Sequence, residues 1–242
     1  MTTEILHCPD LTELSRGAAT LVLKQARRRV AEKGAFSLVL SGGKTPLGLY
    51  EMLGQPPYLS QMPWGKTHFF WGDERCVGPD SPFSNFGSAQ ATMLAKAPIP
   101  AENIHRMKGE LPPPEGADAY QRELEEFFGH SADGFPEFDM VLLGMGANGH
   151  VASIFPGSAL LQGDQRWVAS VPPAGEPSLA RLTLTLPVLD CARDVLFLVS
   201  GENKREAVHT ILEDPANAKD YPAAKVQPQD RLWWMLDDAT LR

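Results

Sequence analysis

The chain has 242 residues, of which 43% are hydrophobic, and its 22 basic and 30 acidic side chains give a formal net charge of −8. This length and composition predict one α/β domain over residues 1–242, with no internal repeat and no linker rich in glycine and serine. The acidic balance excludes the broad basic surface of a nucleic-acid-binding protein. The apolar runs are strand-sized, which predicts neither a signal peptide nor a membrane span and indicates a cytoplasmic protein.

The cysteines are typical of a cytosolic protein. Cys8, Cys76 and Cys191 stand far apart without a C-x-x-C pair, which predicts reduced thiols and neither a disulfide framework nor a zinc site. Arg27 to Arg29 form the one dense basic run, and we expect them on the solvated face of a helix. We expect a monomer or a weak homo-oligomer.

The predicted elements begin with a long helix. Asp10 and Glu13 have the spacing of a capping box, and apolar residues follow with a helical period to about Glu32. Phe36–Leu40 is continuously apolar, which predicts a strand covered on both faces. Further strands are predicted at 67–71, 138–143, 165–171, 181–186, 194–200 and 232–236, and further helices at 46–53, 85–96, 114–128 and 202–212. This alternation predicts a doubly wound α/β domain with a mostly parallel sheet.

A glycine loop, Ser41 to Pro46, follows the first of these predicted strands. Thr45 is placed to cap the next helix and Pro46 to take its first position. Uncovered backbone N–H groups and the positive end of a helix make an anion cradle, to which Lys44 adds a full charge. The alternative is an ordinary βα turn that needs glycine for its conformation, and the spacing is not that of a Walker loop.

A polar cluster follows the strand at 67–71. Asp73, Glu74 and Arg75 come directly after it, and Ser84 and Asn85 lie in the polar segment behind. Such a cluster is either a salt-bridged loop or a site where carboxylates hold sugar hydroxyls and the arginine holds an anion. The residues themselves leave both interpretations open.

The stretch Leu142 to Gly157 places His150 behind three glycines at the end of a buried strand. A titratable side chain at that point lies where open α/β proteins bind their ligands, so His150 is the predicted centre of the chemistry. Gly201 to Lys204 repeats the combination of glycine and lysine at a helix start after a strand. Taken alone, Lys204 is as typical of a surface lysine as of an anion site.

The same glycines suggest an alternative ligand. Gly144, Gly146 and Gly149, with Asp164 further on, match the dinucleotide-binding pattern. That pattern needs a long helix to open at its third glycine, and Pro156 ends any helix after roughly two turns. We therefore expect no dinucleotide cofactor.

Six motifs occur in a fixed order: Ser41-Gly-Gly-Lys-Thr-Pro, Trp71-Gly-Asp-Glu-Arg75, Ser84-Asn85, Gly144-Met-Gly-Ala-Asn-Gly-His150-Val-Ala-Ser-Ile-Phe-Pro-Gly157, Arg181-Leu-Thr-Leu-Thr and Ser200-Gly-Glu-Asn-Lys204. In that order they resemble the 6-phosphogluconolactonases, from about Leu38 to Trp234. The resemblance implies a Rossmann-like fold of the isomerase/deaminase and lactonase type. It also implies hydrolysis of 6-phospho-D-glucono-1,5-lactone, the second step of the oxidative pentose phosphate pathway, without a metal or organic cofactor.

The resemblance also implies how the substrate is held. A phosphorylated sugar lactone is the implied partner, with its phosphate on the Gly42 and Gly43 amides and Lys44, Arg181 and Lys204 as charge partners. The remaining implied substrate contacts are Ser41, Thr45, Asn85 and Gly146.

Four residues are the implied catalytic group. Neutral His150 deprotonates a water for attack on C1 and returns the proton to the departing ring oxygen, without a covalent intermediate. Arg75 either joins the phosphate cluster or faces the carbonyl. Asp73 holds a hydroxyl, orients His150 or shares in proton transfer.

The fourth, Asn148, departs from the family pattern, since members usually carry Asp two residues before the histidine. An amide accepts a hydrogen bond but lacks the charge that raises the basicity of an imidazole or pins its tautomer. Either activity is lower in this chain, or Asp73 orients His150 instead.

Two alternative functions remain. A glucosamine-6-phosphate isomerase/deaminase follows its histidine with a Phe-Asn-Glu segment, whereas Val151 to Pro156 contains no acid, which counts against it. A non-catalytic sugar-phosphate sensor is the other, because a fold does not fix a function. Asn148 favours the sensor, and the presence of His150, Asp73 and Arg75 argues against it.

Overall fold

The computed structural model describes residues 1–129, 134–162 and 165–241, so that Asp164 lies outside the described residues. The strands and helices, in chain order, are β1 (Thr2–Cys8), α1 (Leu11–Lys33), β2 (Phe36–Leu40), α2 (Thr45–Leu53), β3 (Thr67–Trp71), β4 (Asp73–Arg75), α3 (Asn85–Thr92), α4 (Pro113–Phe128), β5 (Met140–Leu143), β6 (Val168–Ala174), β7 (Leu179–Leu184), α5 (Leu186–Cys191), β8 (Asp194–Val199), α6 (Arg205–Glu213), β9 (Arg231–Asp237) and α7 (Asp238–Leu241). No helix in these ranges is long and apolar enough to cross a membrane.

Six strands form a parallel sheet in the order β1-β9-β8-β5-β2-β3. Every residue of β2, β5 and β8 is buried, as expected for strands covered on both faces. After β2 the chain adds β3 on one side and then returns to add β5 on the other. This reversal is a topological switch point, where the loops leaving two neighbouring strands part and open a crevice. The predicted doubly wound α/β fold is confirmed.

A second sheet of three antiparallel strands has the order β4-β7-β6. Only Gly72 separates β3 from β4, and its carbonyl accepts a hydrogen bond from Leu184 N at 2.8 Å, just after β7 pairs with β4. The second sheet therefore begins at the carboxyl end of the first. The sequence predicts strands near β6 and β7 but not that they leave the parallel sheet.

The edge strand β1 is not predicted by the sequence pattern. Its residues read Thr-Thr-Glu-Ile-Leu-His-Cys and are mostly exposed. The strand lies at the end of the parallel sheet beside β9. Because the edge of a sheet is covered less than its centre, β1 lacks the continuous apolar run that identifies the central strands.

The predicted cap of α2 is wrong. The helix begins at Thr45, one residue earlier than expected, and Lys44 takes the N-cap position without a side-chain cap. A capping residue needs an extended backbone, but Lys44 already has φ −84° and ψ −35°. Thr45 is therefore inside the helix and cannot cap it.

The run Arg27 to Arg29 also departs from the prediction of a solvated face, because Arg29 is buried. Its guanidinium lies 3.7 Å from the carboxylates of Asp139 and Asp194 and 3.4 Å from that of Asp230. Asp139 and Asp194 are themselves buried, and buried carboxylates are stabilised by a cation. These partners lie far from Arg29 in the sequence, so its local pattern does not reveal them.

Asp10 caps α1, as its spacing predicts, since its carboxylate accepts a hydrogen bond from Glu13 N at 2.9 Å. We expect Asp10→Ala to lower the free energy of unfolding by about 1 kcal/mol, because the helix loses an acceptor for one of its first N–H groups. Asp10→Asn keeps an acceptor oxygen and should retain most of that stability. Urea unfolding of the two variants measures this, and equal losses would contradict the cap.

Candidate active site

A cavity of about 340 Å³ lies at the switch point between β2 and β5. All the site residues that the sequence predicts line it, except Asn148. They are Ser41, Gly42, Gly43, Lys44, Thr45, Asp73, Arg75, Asn85, Gly146, His150, Arg181 and Lys204. Pro46, Gly144, Met145 and Ala152 also line the cavity and are not among the predicted site residues.

Both sheets supply the cavity. The loop Ser41 to Thr45 follows β2, and the loop with Gly146 and His150 follows β5. Asp73 and Arg75 belong to β4 of the antiparallel sheet, which stands over the ends of these strands. The motifs are distant in sequence, and they meet because each follows or continues a strand at the same edge of the parallel sheet.

Close approaches explain why two of the loop positions are glycine. A Cβ atom on Gly42 would lie 2.0 Å from Asn85 Oδ1. A Cβ atom on Gly146 would lie 2.0 Å from His150 Nδ1. These glycines let the loops pack directly against the side chains that line the cavity.

Asn148 sets the tautomer of His150. Its Oδ1 lies 2.6 Å from His150 Nδ1 and 3.3 Å from the backbone N of the same residue. The backbone N–H of His150 can only donate, so the amide atom of Asn148 that faces it must be the oxygen. The same oxygen can only accept from the imidazole, so the ring donates from Nδ1. The neutral imidazole then carries its lone pair on Nε2. The amide thus accepts a hydrogen bond, as the sequence allowed, whereas Asp73 makes no hydrogen bond to the His150 ring in the described residues.

The imidazole of His150 stands in an apolar and cationic environment. The ring of Phe155 lies 4.7 Å from it, centroid to centroid. Burial lowers the pKa of His150 below the ordinary 6.5; the charge of Asp73 opposes this, and those of Lys204 and Arg181 add to it. The ring is therefore neutral at pH 7 and able to accept a proton.

Asp73 acts on His150 through its charge, because its hydrogen bonds go elsewhere. Its Oδ1 accepts from Asn85 Nδ2 at 3.1 Å and its Oδ2 from Ser153 Oγ at 2.6 Å. Asn85 Nδ2 also donates to the Asp73 carbonyl at 2.9 Å. The carboxylate is thus fixed by two neutral donors at the wall of the cavity.

Arg75 and Arg181 are direct cross-strand partners on β4 and β7. Arg75 Nη1 donates to Asn85 Oδ1 at 2.6 Å and to the Phe83 carbonyl at 2.7 Å, while Arg181 donates to two backbone carbonyls. Burial lowers the pKa of Arg181, Asp73 opposes this and Arg75 adds to it. Like charges directly opposite each other destabilise a sheet, so this pair is suited to an anionic ligand that offsets the repulsion.

Two lysines complete the cationic lining. Lys44 and Lys204 occupy the N-cap positions of α2 and α6. Burial lowers the pKa of Lys204. Because both lysines lie at the amino-terminal ends of helices, an anion bound there is stabilised both by the ammonium charge and by the positive end of the helix dipole.

Glu74 is a structural partner that the sequence does not identify. It is 2% exposed, and its Oε1 accepts from the backbone N of both Arg75 and Asn85 at 2.7 Å. Its Oε2 accepts from Phe86 N and Ser84 Oγ. The two-residue period of a strand could have shown that Glu74 points away from the face shared by Asp73 and Arg75. Asp73 and Arg75 of this cluster therefore line the cavity, while Glu74 is buried behind them and holds the chain in place.

The dinucleotide alternative fails in the described residues after Gly149. Val151 and Ile154 close a tight turn through two backbone hydrogen bonds of 3.3 and 2.8 Å. Ala152, inside the turn, has a φ of 46°. No helix opens at the third glycine, so the geometry that holds a pyrophosphate is absent there.

The fold and the cavity define a class of protein: α/β domains that bind a small anionic metabolite at the switch point of a parallel sheet. A family model described as glucosamine-6-phosphate isomerases/6-phosphogluconolactonase matches residues 9–234. The chain belongs to this family.

Several relatives within the family match this chain over most of their own length. A 6-phosphogluconolactonase of Nostoc sp. is 39% identical over 98% of this chain and 96% of its own. One of Synechocystis sp. is 41% identical over 91% and 89%. The crystal structure of a 6-phosphogluconolactonase from Thermotoga maritima is 31% identical, covers 98% of this chain and 100% of its own, and superposes with a TM-score of 0.84.

Proposed function

We propose that this chain hydrolyses 6-phospho-D-glucono-1,5-lactone to 6-phosphogluconate. The observation that carries the proposal is the bond between Asn148 and His150 Nδ1, which leaves Nε2 as the base in a cavity lined by four cations. The names of the relatives support the substrate. A lactone ester needs a base for water and positive charge for its carbonyl oxygen, and this cavity offers both.

In the proposed mechanism His150 Nε2 removes a proton from a water molecule as the water oxygen attacks C1. The bond between C1 and the ring oxygen then breaks, and the imidazolium returns its proton to that oxygen. Asp73 stabilises the imidazolium while it exists, because it is an anion that raises the pKa of His150. No covalent bond to the enzyme is formed, so one residue serves as base and then as acid.

The phosphate is proposed to lie on the loop of Gly42 and Gly43 at the start of α2, with Lys44, Arg181 and Lys204 as charge partners. Arg75, the cross-strand partner of Arg181, is proposed to supply positive charge to the oxygen of C1 as it becomes negative. A lactone without the phosphate should therefore bind much more weakly than the phosphorylated one.

Acid release from freshly prepared 6-phosphogluconolactone, followed with a pH indicator, tests the proposal. We expect release well above the spontaneous rate, and a much lower kcat/KM for unphosphorylated glucono-1,5-lactone. Decay at the spontaneous rate, with 6-phosphogluconate still bound, would support the sensor instead. Ammonia release from glucosamine 6-phosphate tests the deaminase, which is disfavoured because the turn after His150 presents the ring of Phe155 and no carboxylate.

The amide at Asn148 should be visible in the pH profile. Asn148→Asp places a negative charge beside His150 Nδ1 and so raises the pKa of the imidazole. Because only the neutral ring is a base, activity is lost as the pH falls through that pKa, and the acid limb of kcat/KM should move to higher pH in the variant. A rise in rate at the plateau would mean that the natural amide limits turnover. An unchanged profile would mean that position 148 is not electrostatically coupled to His150.

A further inference from the structure

Asp73 is a buried carboxylate that is held in position by hydrogen bonds from two neutral side chains. It is 7% exposed, and no cation lies within salt-bridge distance of it in the described part of the chain. Its side chain is held by Asn85 at 3.1 Å and Ser153 at 2.6 Å. Since a buried carboxylate needs hydrogen bonds in place of water, the shorter of these two contacts supplies much of what holds the Asp73 side chain in place.

Ser153 belongs to the turn that begins at His150. It is 0% exposed, and its backbone N donates to Thr183 Oγ1 at 3.2 Å. The residue before it, Ala152, has the left-handed φ of 46°, which costs free energy in any residue other than glycine. The strained turn therefore directs Ser153 inward, and its hydroxyl reaches the carboxylate of Asp73.

We propose that Ser153 is a positioning residue of the active site, whose hydroxyl holds the Asp73 carboxylate beside His150. The turn that carries the base then also holds the anion that stabilises the protonated base. This proposal rests on the proposed function, because it concerns the imidazolium formed during hydrolysis. Ser153 itself touches no reacting atom.

A double-mutant cycle with Ser153→Ala and Asp73→Asn tests the proposal. We expect Ser153→Ala to lower kcat for the lactone roughly tenfold with little change in KM, because a hydrogen bond to a charged group is lost. In the Asp73→Asn background the same change should cost almost nothing, since Ser153 acts through that carboxylate. Equal losses of kcat in both backgrounds would overturn the proposal.

Two further variants separate positioning from packing. Ser153→Cys introduces a slightly larger side chain that leaves no cavity and keeps a weaker donor, so it should lose less kcat than Ser153→Ala. It replaces the alanine variant in the test if alanine destabilises the fully buried turn. Ser158→Ala makes the same chemical change five residues later, where the hydroxyl accepts only from Leu160 N in the described residues. It should leave kcat unchanged, and a loss equal to that of Ser153→Ala would contradict the assignment.

A titration of the His150 ring by NMR, without substrate, distinguishes this proposal from the proposed function. We expect Ser153→Ala to lower the pKa of His150, because the carboxylate is no longer held near it, and to have no effect when Asp73 is already Asn. If the wild-type chain fails to hydrolyse the lactone, the proposed function is lost while this measurement still decides the role of Ser153. A shift of the same size in both backgrounds would reject it.

Discussion

His150→Ala should lower kcat for the lactone by about 10²- to 10⁴-fold, the usual contribution of a general base. Binding of 6-phosphogluconate should change only a few-fold, because the phosphate is proposed to lie on the Gly42 and Gly43 loop and the lysines. Steady-state kinetics and calorimetry measure the two quantities separately. A loss of binding as large as the loss of turnover would assign His150 to the ligand and not to the chemistry.

His209→Ala is the matched control for that experiment. His209 is an exposed histidine on α6, paired with Glu213 at 2.8 Å, and it does not line the cavity. Its replacement should leave kcat at the wild-type level. Wild-type turnover in His150→Ala itself would remove the proposed base.

Gly146→Ala should lower kcat about 100-fold, although no chemical group is removed. The added Cβ would lie 2.0 Å from His150 Nδ1 and 2.9 Å from Asn148 Oδ1, so the imidazole must move away from its present position. Displacing a catalytic group by about 1 Å costs on this order in rate. Steady-state kinetics measures the loss, and the NMR spectrum of the His150 ring reports the displacement.

Gly144→Ala provides the comparison, two residues earlier in the same loop. There the added Cβ would meet only Ser41 Oγ, at an ordinary 3.6 Å. Gly144 also lines the cavity, but its Cβ does not displace His150, so we expect a much smaller loss of kcat than in Gly146→Ala. If both glycine variants lose the same activity, loop flexibility and not the contact with His150 explains the effect.

The sequence predicts the parts of this site that are local in the chain. The loop Ser41 to Pro46 and the residue His150 each follow an apolar strand, and parallel strands bring their carboxyl ends to one edge. The strands β1 and β4 are harder to predict from the sequence. An exposed edge strand and a three-residue strand both carry little hydrophobic pattern. The antiparallel sheet is also missed, since pairing between β4 and β7 is set by tertiary structure.

The supporting contacts could not be predicted for a related reason. Ser153 and Asp73 are 80 residues apart in sequence, and the sequence around each residue does not indicate that the two are in contact. At Asn148 the sequence shows the loss of a charge but not the 2.6 Å contact with His150 Nδ1 that remains. Hydrogen bonds between distant segments depend on the packed fold, whereas periodicity and strand ends do not.

The facing arginines of β4 and β7 have a consequence for how this protein can evolve. Replacing Arg75 or Arg181 by a neutral residue of similar size removes a repulsion between neighbouring strands, but it also removes the hydrogen bonds of that guanidinium. The melting temperature of the empty protein should therefore change little while its hold on an anion weakens, and a laboratory selection for heat resistance alone should not act to keep these two residues. Both arginines are therefore retained only under selection for ligand binding. A homologue that lacks both should no longer bind the anionic ligand.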